Sequence, residues 1–359
     1  MRAVVGIAGV GLIVAIMWDT FEALVLPRRV TRRLRPTRLF YRTTWRAWSG
    51  IGRCMAPGGR RETYLSFYGP LSLLVLLGLW AASLIAGFAM LQWGLGSHLA
   101  VAGRPARFAD DLYMSGTTFV TLGLGDVAPT SAIARLVTVV ESGVGFGFLA
   151  VVIGYLPVLY GAFSRREVNI TLLDARAGSP PSAGELLHRH LRDLDALGGL
   201  LHDWERWSAE VLESHLSYPV LSYFRSQHDN QSWLAALTTI LDACALVTTA
   251  MADGPARQAR LTFAIARHAV VDLAQVHGTP PRPPEPDRLP PGALARLAAD
   301  LAPAGLTLDG DGKTERALAE LRELYEPYVA ALASHLVFAL PEWGRSPDPS
   351  DNWRATAWR

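Results

Sequence analysis

Apolar positions are spread very unevenly along this chain. Ser66 to Leu91 (SFYGPLSLLVLLGLWAASLIAGFAML) runs without a charge, and Ala132 to Phe163 carries only Arg135 and Glu141. Ala3 to Leu26 is apolar up to Trp18, then carries Asp19 and Glu22. A bilayer core of roughly 30 Å is crossed by about 20 apolar residues in a helix, so three membrane helices are predicted. The first run shares features with a cleaved signal peptide. Its leading part has one arginine, however, and no small-residue cleavage site follows cleanly, so a retained helix is expected.

From Arg165 the periodicity becomes that of a helical, water-facing region. Ser182 or Gly184 opens ELLHRHLRDLDALGGLLHDWERWSAEVLESHL, with Gly198-Gly199 a candidate break and Pro219 a stop. Trp204, Trp207, Val211, Leu212 and His215 recur at three and four, an amphipathic stripe. SWLAALTTILDACALVTTAM (232–251) is apolar all round and is expected at the centre of a bundle. ARQARLTFAIARHAVVDLAQVH (256–277) is a further helix. PPRPPEPDRLPP (280–291) reads as an exposed, semi-rigid linker, and helices are expected near 292–302 and 313–338. Trp343, Trp353 and Trp358 in the tail are candidates to dock on a surface. The resulting division is 1–27, a first membrane helix; 28–65, a basic segment; 66–163, a membrane core; 164–279, a helical domain; 280–291, a linker; and 292–359, terminal helices and tail.

The net charge of +2 conceals a strong local asymmetry. Arg28, Arg29, Arg32, Arg33, Arg35, Arg38, Arg42, Arg46, Arg53, Arg60 and Arg61 lie in one stretch that holds no acid. Such a loop stays cytoplasmic, which places the 97–131 loop outside and the long polar C-terminal region in the cytosol of a cell-membrane protein. The spacing of the arginines raises the possibility of a voltage-sensing helix. Against it, the intervening residues form no apolar span, and each arginine at the bilayer centre costs about 2.5–3.5 kcal/mol. LFYRTTWRAW (39–48) instead has the mixture of an interfacial helix. Arg32, Arg35, Arg38, Arg42 and Arg46 are then lipid-facing, near anionic headgroups that contribute about 1 kcal/mol each. An orientation signal alone is the competing reading. Asp19 and Glu22, three apart on one helix face, either hold a cation or, as expected here, pair with Arg28 or Arg29.

Between the second and third apolar runs stands FADDLYMSGTTFVTLGLGDVAP (108–129). Asp110 and Asp111 suit a helix N-terminus, Tyr113 to Phe119 is too short to span, and TLGLGD (121–126) follows. Extended backbone at membrane depth leaves carbonyls unsatisfied unless it is buried in protein or lines a wet cavity. One six-residue strip cannot surround a cavity, but several copies around an axis can. Gly123 and Gly125 admit backbone conformations closed to other residues. The reading turns the carbonyls inward and packs Leu122 and Leu124 behind them.

Outer helix, short pore helix, Thr-x-Gly-x-Gly-Asp strip and inner helix together resemble the tetrameric potassium-channel pore, over about residues 66–163. The general carbonyl-filter mechanism is the one for which the TVGYG loop is the familiar example. The resemblance implies an all-α membrane protein forming a homotetramer. K⁺ ions would be held by the carbonyls of Thr121, Leu122, Gly123 and Leu124 and the Thr121 hydroxyl, with Asp126 at the outer mouth. It implies permeant K⁺ and no organic cofactor. Leu122 stands where Val or Ile is usual, and Leu124 where a Tyr hydroxyl braces the filter. Weaker K⁺/Na⁺ discrimination or easier inactivation is a stated consequence. A weakly selective cation channel, or a membrane-anchored sensor with a silent pore, are the rival functions.

In the inner helix, Gly145 falls at the family's hinge position; hinge and close packing are both open. Gly154 and Pro157 are further gating candidates, Pro157 through a kink. Glu141 is an intramembrane carboxylate and so a functional candidate. One reading places it behind the filter near Thr117 or Thr118, protonated because burial disfavours its charge; a structural bond to a neighbouring subunit is the competing reading. Cys54 and Cys244 form no disulfide or zinc framework, and His188 and His190, two apart on a helix, face different ways. There is no βαβ alternation, GxGxxG, Walker motif or cyclic-nucleotide pattern. No Ser/His/Asp constellation supports an enzyme, and no feature supports nucleic-acid binding. RSQHDNQSW (225–233) is either a ligand site or a helix-capping loop using Asp229 or Asn230. The helical domain is expected to gate or tetramerise, with its own ligand unknown.

Overall fold

The computed structural model describes residues 1–26, 35–101, 103–228, 230–306 and 312–345. It is almost wholly helical. The elements are α1 (Arg2–Leu24), α2 (Pro36–Cys54), α3 (Gly59–Ser66), α4 (Tyr68–Gly94), β1 (Leu99–Ala100), α5 (Phe108–Phe119), β2 (Ala128–Pro129), α6 (Ala132–Ala177), α7 (Ala183–His190), α8 (Leu194–Ser217), a 3₁₀ turn (Pro219–Tyr223), α9 (Trp233–Ala250), α10 (Ala256–His277), α11 (Pro291–Leu301), α12 (Lys313–Glu323) and α13 (Glu326–Leu336). Two compact units result: Met1–Ala47 with Pro70–Tyr160, and Trp48–Gly69 with the chain from Gly161 onward.

In the first unit the outer helix α4 is joined by α1 through glycines. A Cβ on Gly9 would lie 2.6 Å from the Gly87 carbonyl, and one on Gly94 would lie 2.4 Å from Gly6 Cα. Small residues are what let two membrane helices approach this closely. Asp19 and Glu22 of α1 are buried. Asp19 accepts from Trp80 Nε1 of α4 at 3.0 Å and from the Thr37 amide at 3.2 Å, so it caps the start of α2. Glu22 pairs with Arg35 at 3.2 Å. The acids therefore fasten three elements together. The expected partners Arg28 and Arg29 lie outside the described residues. Pro36 is the first residue of α2, where its missing N–H costs nothing.

The second unit is built on α9, whose side chains from Trp233 to Val247 are all buried. The α9 helix is also long and apolar enough to cross a membrane, but 83% of its apolar window is buried inside the protein. Ser232 caps it, accepting from the Ala235 amide at 3.0 Å, where Asp229 or Asn230 was expected. Asp229 lies outside the described residues. Gly198-Gly199 does not break α8, which runs to Ser217 just before Pro219. The expected 313–338 helix is two helices, because Pro327 lacks an N–H and starts α13 anew.

Residues 280–291 are not wholly exposed. Arg288 reaches Asp242 of α9 at 2.5 Å and Glu326 of α13 at 3.0 Å, and Leu289 is buried beside it. Trp343 is buried, and its carbonyl accepts from the Gly184 amide at 2.9 Å. Trp353 and Trp358 lie outside the described residues. Cys54 is exposed and Cys244 buried, both free thiols. The buried surroundings of Cys244 push its pKa up.

Candidate ion pathway

The segment holding α5 and the strip is pinned at its two ends. β1 and β2 pair antiparallel, Leu99 with Pro129 and Ala100 with Ala128, closing the loop around α5. At the start of α5, Asp110 accepts from the Arg107 amide and from Arg104, both at 2.7 Å. Asp111 is fully buried and accepts from Ser97 Oγ at 2.6 Å. The buried stripe of α5 is Asp111, Met114, Ser115 and Phe119, the spacing of one helix face.

Beyond Phe119 the backbone leaves the helix with its amides turned back. Thr121 N–H donates to the Thr118 carbonyl at 3.0 Å, Leu122 N–H to the Thr117 carbonyl at 2.7 Å, and Gly123 N–H to the same oxygen at 3.2 Å. Thr121, Gly123 and Gly125 have φ of +60°, +53° and +77°. Left-handed backbone at alternate positions is what glycine supplies at two of them. Thr121 adopts it as a non-glycine residue, an uncommon conformation. The carbonyls of Thr121, Leu122, Gly123 and Leu124 accept no hydrogen bond among the described residues. Four successive main-chain oxygens are thus left open in a segment flanked by apolar helices. Leu122 and Leu124 are 58% and 61% exposed. They do not pack behind the strip within one chain, as expected above; any cover has to come from outside it.

Residues 74–159 match the family model described as ion channel. The match spans most of α4, all of α5, the strip and the first part of α6. The resemblance to the potassium-channel pore family holds over that segment. A membrane protein of Bacillus subtilis (strain 168), the uncharacterized YdjJ, is 25% identical over 256 residues, or 67% of this chain and 72% of that protein. No solved structure matches. The helices Arg2–Leu24, Gly59–Gly94 and Ala132–Ala177 have the length and composition to cross a bilayer, and the chain is a membrane protein with an ion-channel segment.

Behind the strip of this ion-channel segment, Glu141 of α6 is fully buried. It does not meet Thr117 or Thr118. Its partner is the Ser115 hydroxyl, which also lies 2.7 Å from the Ile85 carbonyl of α4. Ser115 has one proton for two acceptors. The count closes when Ser115 donates to Ile85 and Glu141 carries a hydrogen donated to Ser115 Oγ. Thr117 Oγ1 donates to the Met114 carbonyl at 3.0 Å, inside its own helix. Thr118 contributes its carbonyl. Gln92 of α4 donates to the Ala134 carbonyl at 3.1 Å and lies 3.3 Å from Thr138 Oγ1, one turn above Glu141. Sequence reading missed Ser115, Gln92 and Ser97. The signal was there for Ser115: it shares a helix face with Asp111 and Phe119, and a carboxylate reaching in from the inner helix meets that face.

Tyr113 was also missed. Its hydroxyl donates to Asp126 at the end of the strip. It ties α5 to the far end of the strip, where Leu124 offers no hydroxyl. At Gly145 the packing reading is met directly: a Cβ there would sit 2.1 Å from the Phe119 carbonyl oxygen. Gly154 has open space around it, and α6 continues through Pro157.

Among the basic residues, Arg38, Arg42 and Arg46 are exposed. Arg35 is not lipid-facing, since it is held by Glu22. Arg32 lies outside the described residues. Trp45 is 3% exposed, and the half-buried Trp48 stacks on Tyr64 at 4.7 Å. Among the described residues there is no cluster of His, Cys, Asp or Glu able to hold a metal.

Proposed function

We propose that the chain is one subunit of a homotetrameric, K⁺-selective channel passing K⁺ down its electrochemical gradient. The observation that carries the proposal is the row of four unpartnered carbonyls at 121–124, with their amides tied back to the pore helix. Oxygens so oriented replace the hydration shell of a dehydrated cation, and a ring of copies gives them a common axis. The exposed Leu122 and Leu124 are apolar surface that neighbouring copies would cover. The arginine-rich stretch places the helical unit in the cytoplasm, and the cell membrane is the location that follows. Arg38, Arg42 and Arg46 face anionic headgroups in this reading. The helical unit acts on the inner helix, whose continuation from Gly161 belongs to it. No chemistry and no bound organic cofactor are required.

The test is purified protein in planar bilayers. Sustained currents that reverse near the K⁺ equilibrium potential and are blocked by Ba²⁺ support the proposal. Equal K⁺ and Na⁺ permeability would replace it with a weakly selective channel. Silence in the bilayer would leave the helical unit as the working part.

A further inference from the structure

Two chain segments leading to and from the apolar helices are held by side chains of the second unit. The first is the continuation of α6. Arg166, 3% exposed, donates to the Leu221 carbonyl at 2.9 Å and the Phe224 carbonyl at 3.0 Å, and pairs with Glu167 at 2.8 Å. Its Nη1 also lies 3.2 Å from His215 Nε2. Trp207 Nε1 donates to the Arg166 carbonyl at 3.2 Å.

The second segment is 48–69. Arg53 donates to the Ser334 carbonyl at 2.8 Å. Glu62 pairs with Arg225 at 3.2 Å, and Arg225 donates to the carbonyls of Leu336 and Val337. Tyr68 packs edge-on to Tyr223 at 5.2 Å, Tyr223 to His277 at 5.5 Å, and His277 against His335 at 5.4 Å.

Proton counting fixes the state of His215. An arginine can only donate, so His215 Nε2 must accept, and Nδ1 must carry the hydrogen it donates to the Val211 carbonyl at 2.8 Å. His215 is neutral by geometry. His277 Nε2 is buried with no partner. The charged and titratable groups around the three imidazoles are Arg166 and Glu167 from α6, Tyr223 from the 3₁₀ turn, Arg53 from α2 and the histidines themselves, with Tyr68, Glu62 and Arg225 next in line. Both acids are already engaged with arginines, so a proton added to the buried His215 meets the Arg166 guanidinium, and one added to His277 finds no acceptor at Nε2.

We propose that His215, His277 and His335 make the helical unit a proton-sensitive clamp, which acid loosens so that 48–69 and 161–177 are released from α8, α10 and α13. Burial, and then the Arg166 guanidinium, hold His215 well below its usual pKa. Burial and then His335 lower His277 to about 3, and burial and then Arg53 lower His335 to about 4. The sign follows from linkage. The clamped form stays unprotonated while the released form binds protons below about pH 6.5, so clamping is complete above that pH and weakens as pH falls below it. Each histidine contributes up to about tenfold per pH unit in the clamped-to-released ratio.

The effect on conduction rests on the channel reading above; the clamp does not. Hydrogen exchange is measured on the full chain in lipid nanodiscs from pH 7.5 to 5.5, corrected for the intrinsic pH dependence of exchange, with K⁺ flux read in parallel. The expected result is loss of protection in 48–69, 161–177 and 219–224 with falling pH, more steeply than one proton allows. His335→Gln should lower that steepness by about one proton, and His215→Gln, whose amide oxygen still accepts from Arg166, should lower it further. If the buried variants do not fold, the half-exposed His335→Gln carries the test alone. Protection independent of pH, or unchanged steepness in His335→Gln, would overturn the clamp. Release with unaltered flux would keep the clamp and remove its link to conduction.

Discussion

The strip at 121–126 and the charge cluster under α9 deal with polar groups in opposite ways. In the helical unit, Asp242 is fully buried yet receives Arg288 and the Tyr325 hydroxyl, while Arg288 also reaches Glu326 and the Pro341 carbonyl. Every charge there has a partner from the same chain. In the ion-channel segment, four main-chain carbonyls are open, and buried oxygens of Glu141, Gln92 and Asp111 have no partner. Unsatisfied polar groups are expensive in an apolar setting. The charges of the cluster under α9 are met within one chain, whereas the open oxygens of the ion-channel segment require something further, an ion and neighbouring copies in the present account.

The strongest way to break this contrast is at the strip. Gly123→Ala forces a side chain into a left-handed position at φ +53°, and a fourfold ring would repeat the strain in every subunit. Flux in K⁺-loaded vesicles should fall to background while circular dichroism keeps its helical signal; unaltered flux would deny the strip its role. Next is the self-completing side. Asp242→Ala leaves Arg288 buried beside its remaining partner, and breaking a buried pair from one side costs about 3–5 kcal/mol. Denaturant unfolding of the helical unit should register that loss, and K⁺ flux per folded channel should change far less.

Gly145→Ala comes third. Its Cβ would meet the Phe119 backbone, and overpacking costs about 1–3 kcal/mol. Faster loss of current during sustained opening is the expected reading if the pore helix has to shift. For Glu141 the two substitutions separate bonding from charge. Glu141→Gln can donate to Ser115 as the protonated acid does, and should behave like the parent. Glu141→Ala removes that contact, at about 1–3 kcal/mol for a disturbed buried hydrogen bond, and should speed filter inactivation. Equal behaviour of Gln and Ala would remove Glu141 from the support of the filter.

The smallest effect lies at the exposed rim. The Arg104 side chain, then the Arg107 amide, hold the Asp110 carboxyl down at about 2. A depressed carboxylate adds its stability above its ordinary pKa near 4 and loses it as pH falls through the folded value. Local exchange at 104–111 should therefore stay constant from neutral pH to about 4 and rise only towards 2, and Arg104→Ala should shrink that step to what the Arg107 amide sustains.

Much of this was legible from the pattern of residues. The apolar runs located α1, α4 and α6, and Asp110-Asp111 located the start of α5, because local propensity and membrane burial act on the same residues. The glycines of TLGLGD declare a non-helical strip, and the positive φ angles at 121, 123 and 125 agree. What was not legible depends on helical phase and on distant partners. Glu141 found Ser115 rather than Thr117 because the buried face of α5 runs through 111, 115 and 119. Arg35 found Glu22 and left the lipid stripe. The aromatic residues of 39–48 had the composition of an interfacial helix, yet Trp45 is buried in protein and Trp48 stacks on Tyr64. Composition reports a preference for a half-apolar environment without saying whether lipid or protein provides it. Arg288 strapped a proline-rich run to the bundle through acids at 242 and 326, a contact that no local pattern announces.

The central claim is that the carbonyls of 121–124 close into a ring contributed by identical subunits. Native mass spectrometry of the full chain released from lipid nanodiscs counts those subunits. The account predicts a single dominant species of four copies; a monomer or a dimer as the dominant species would contradict it.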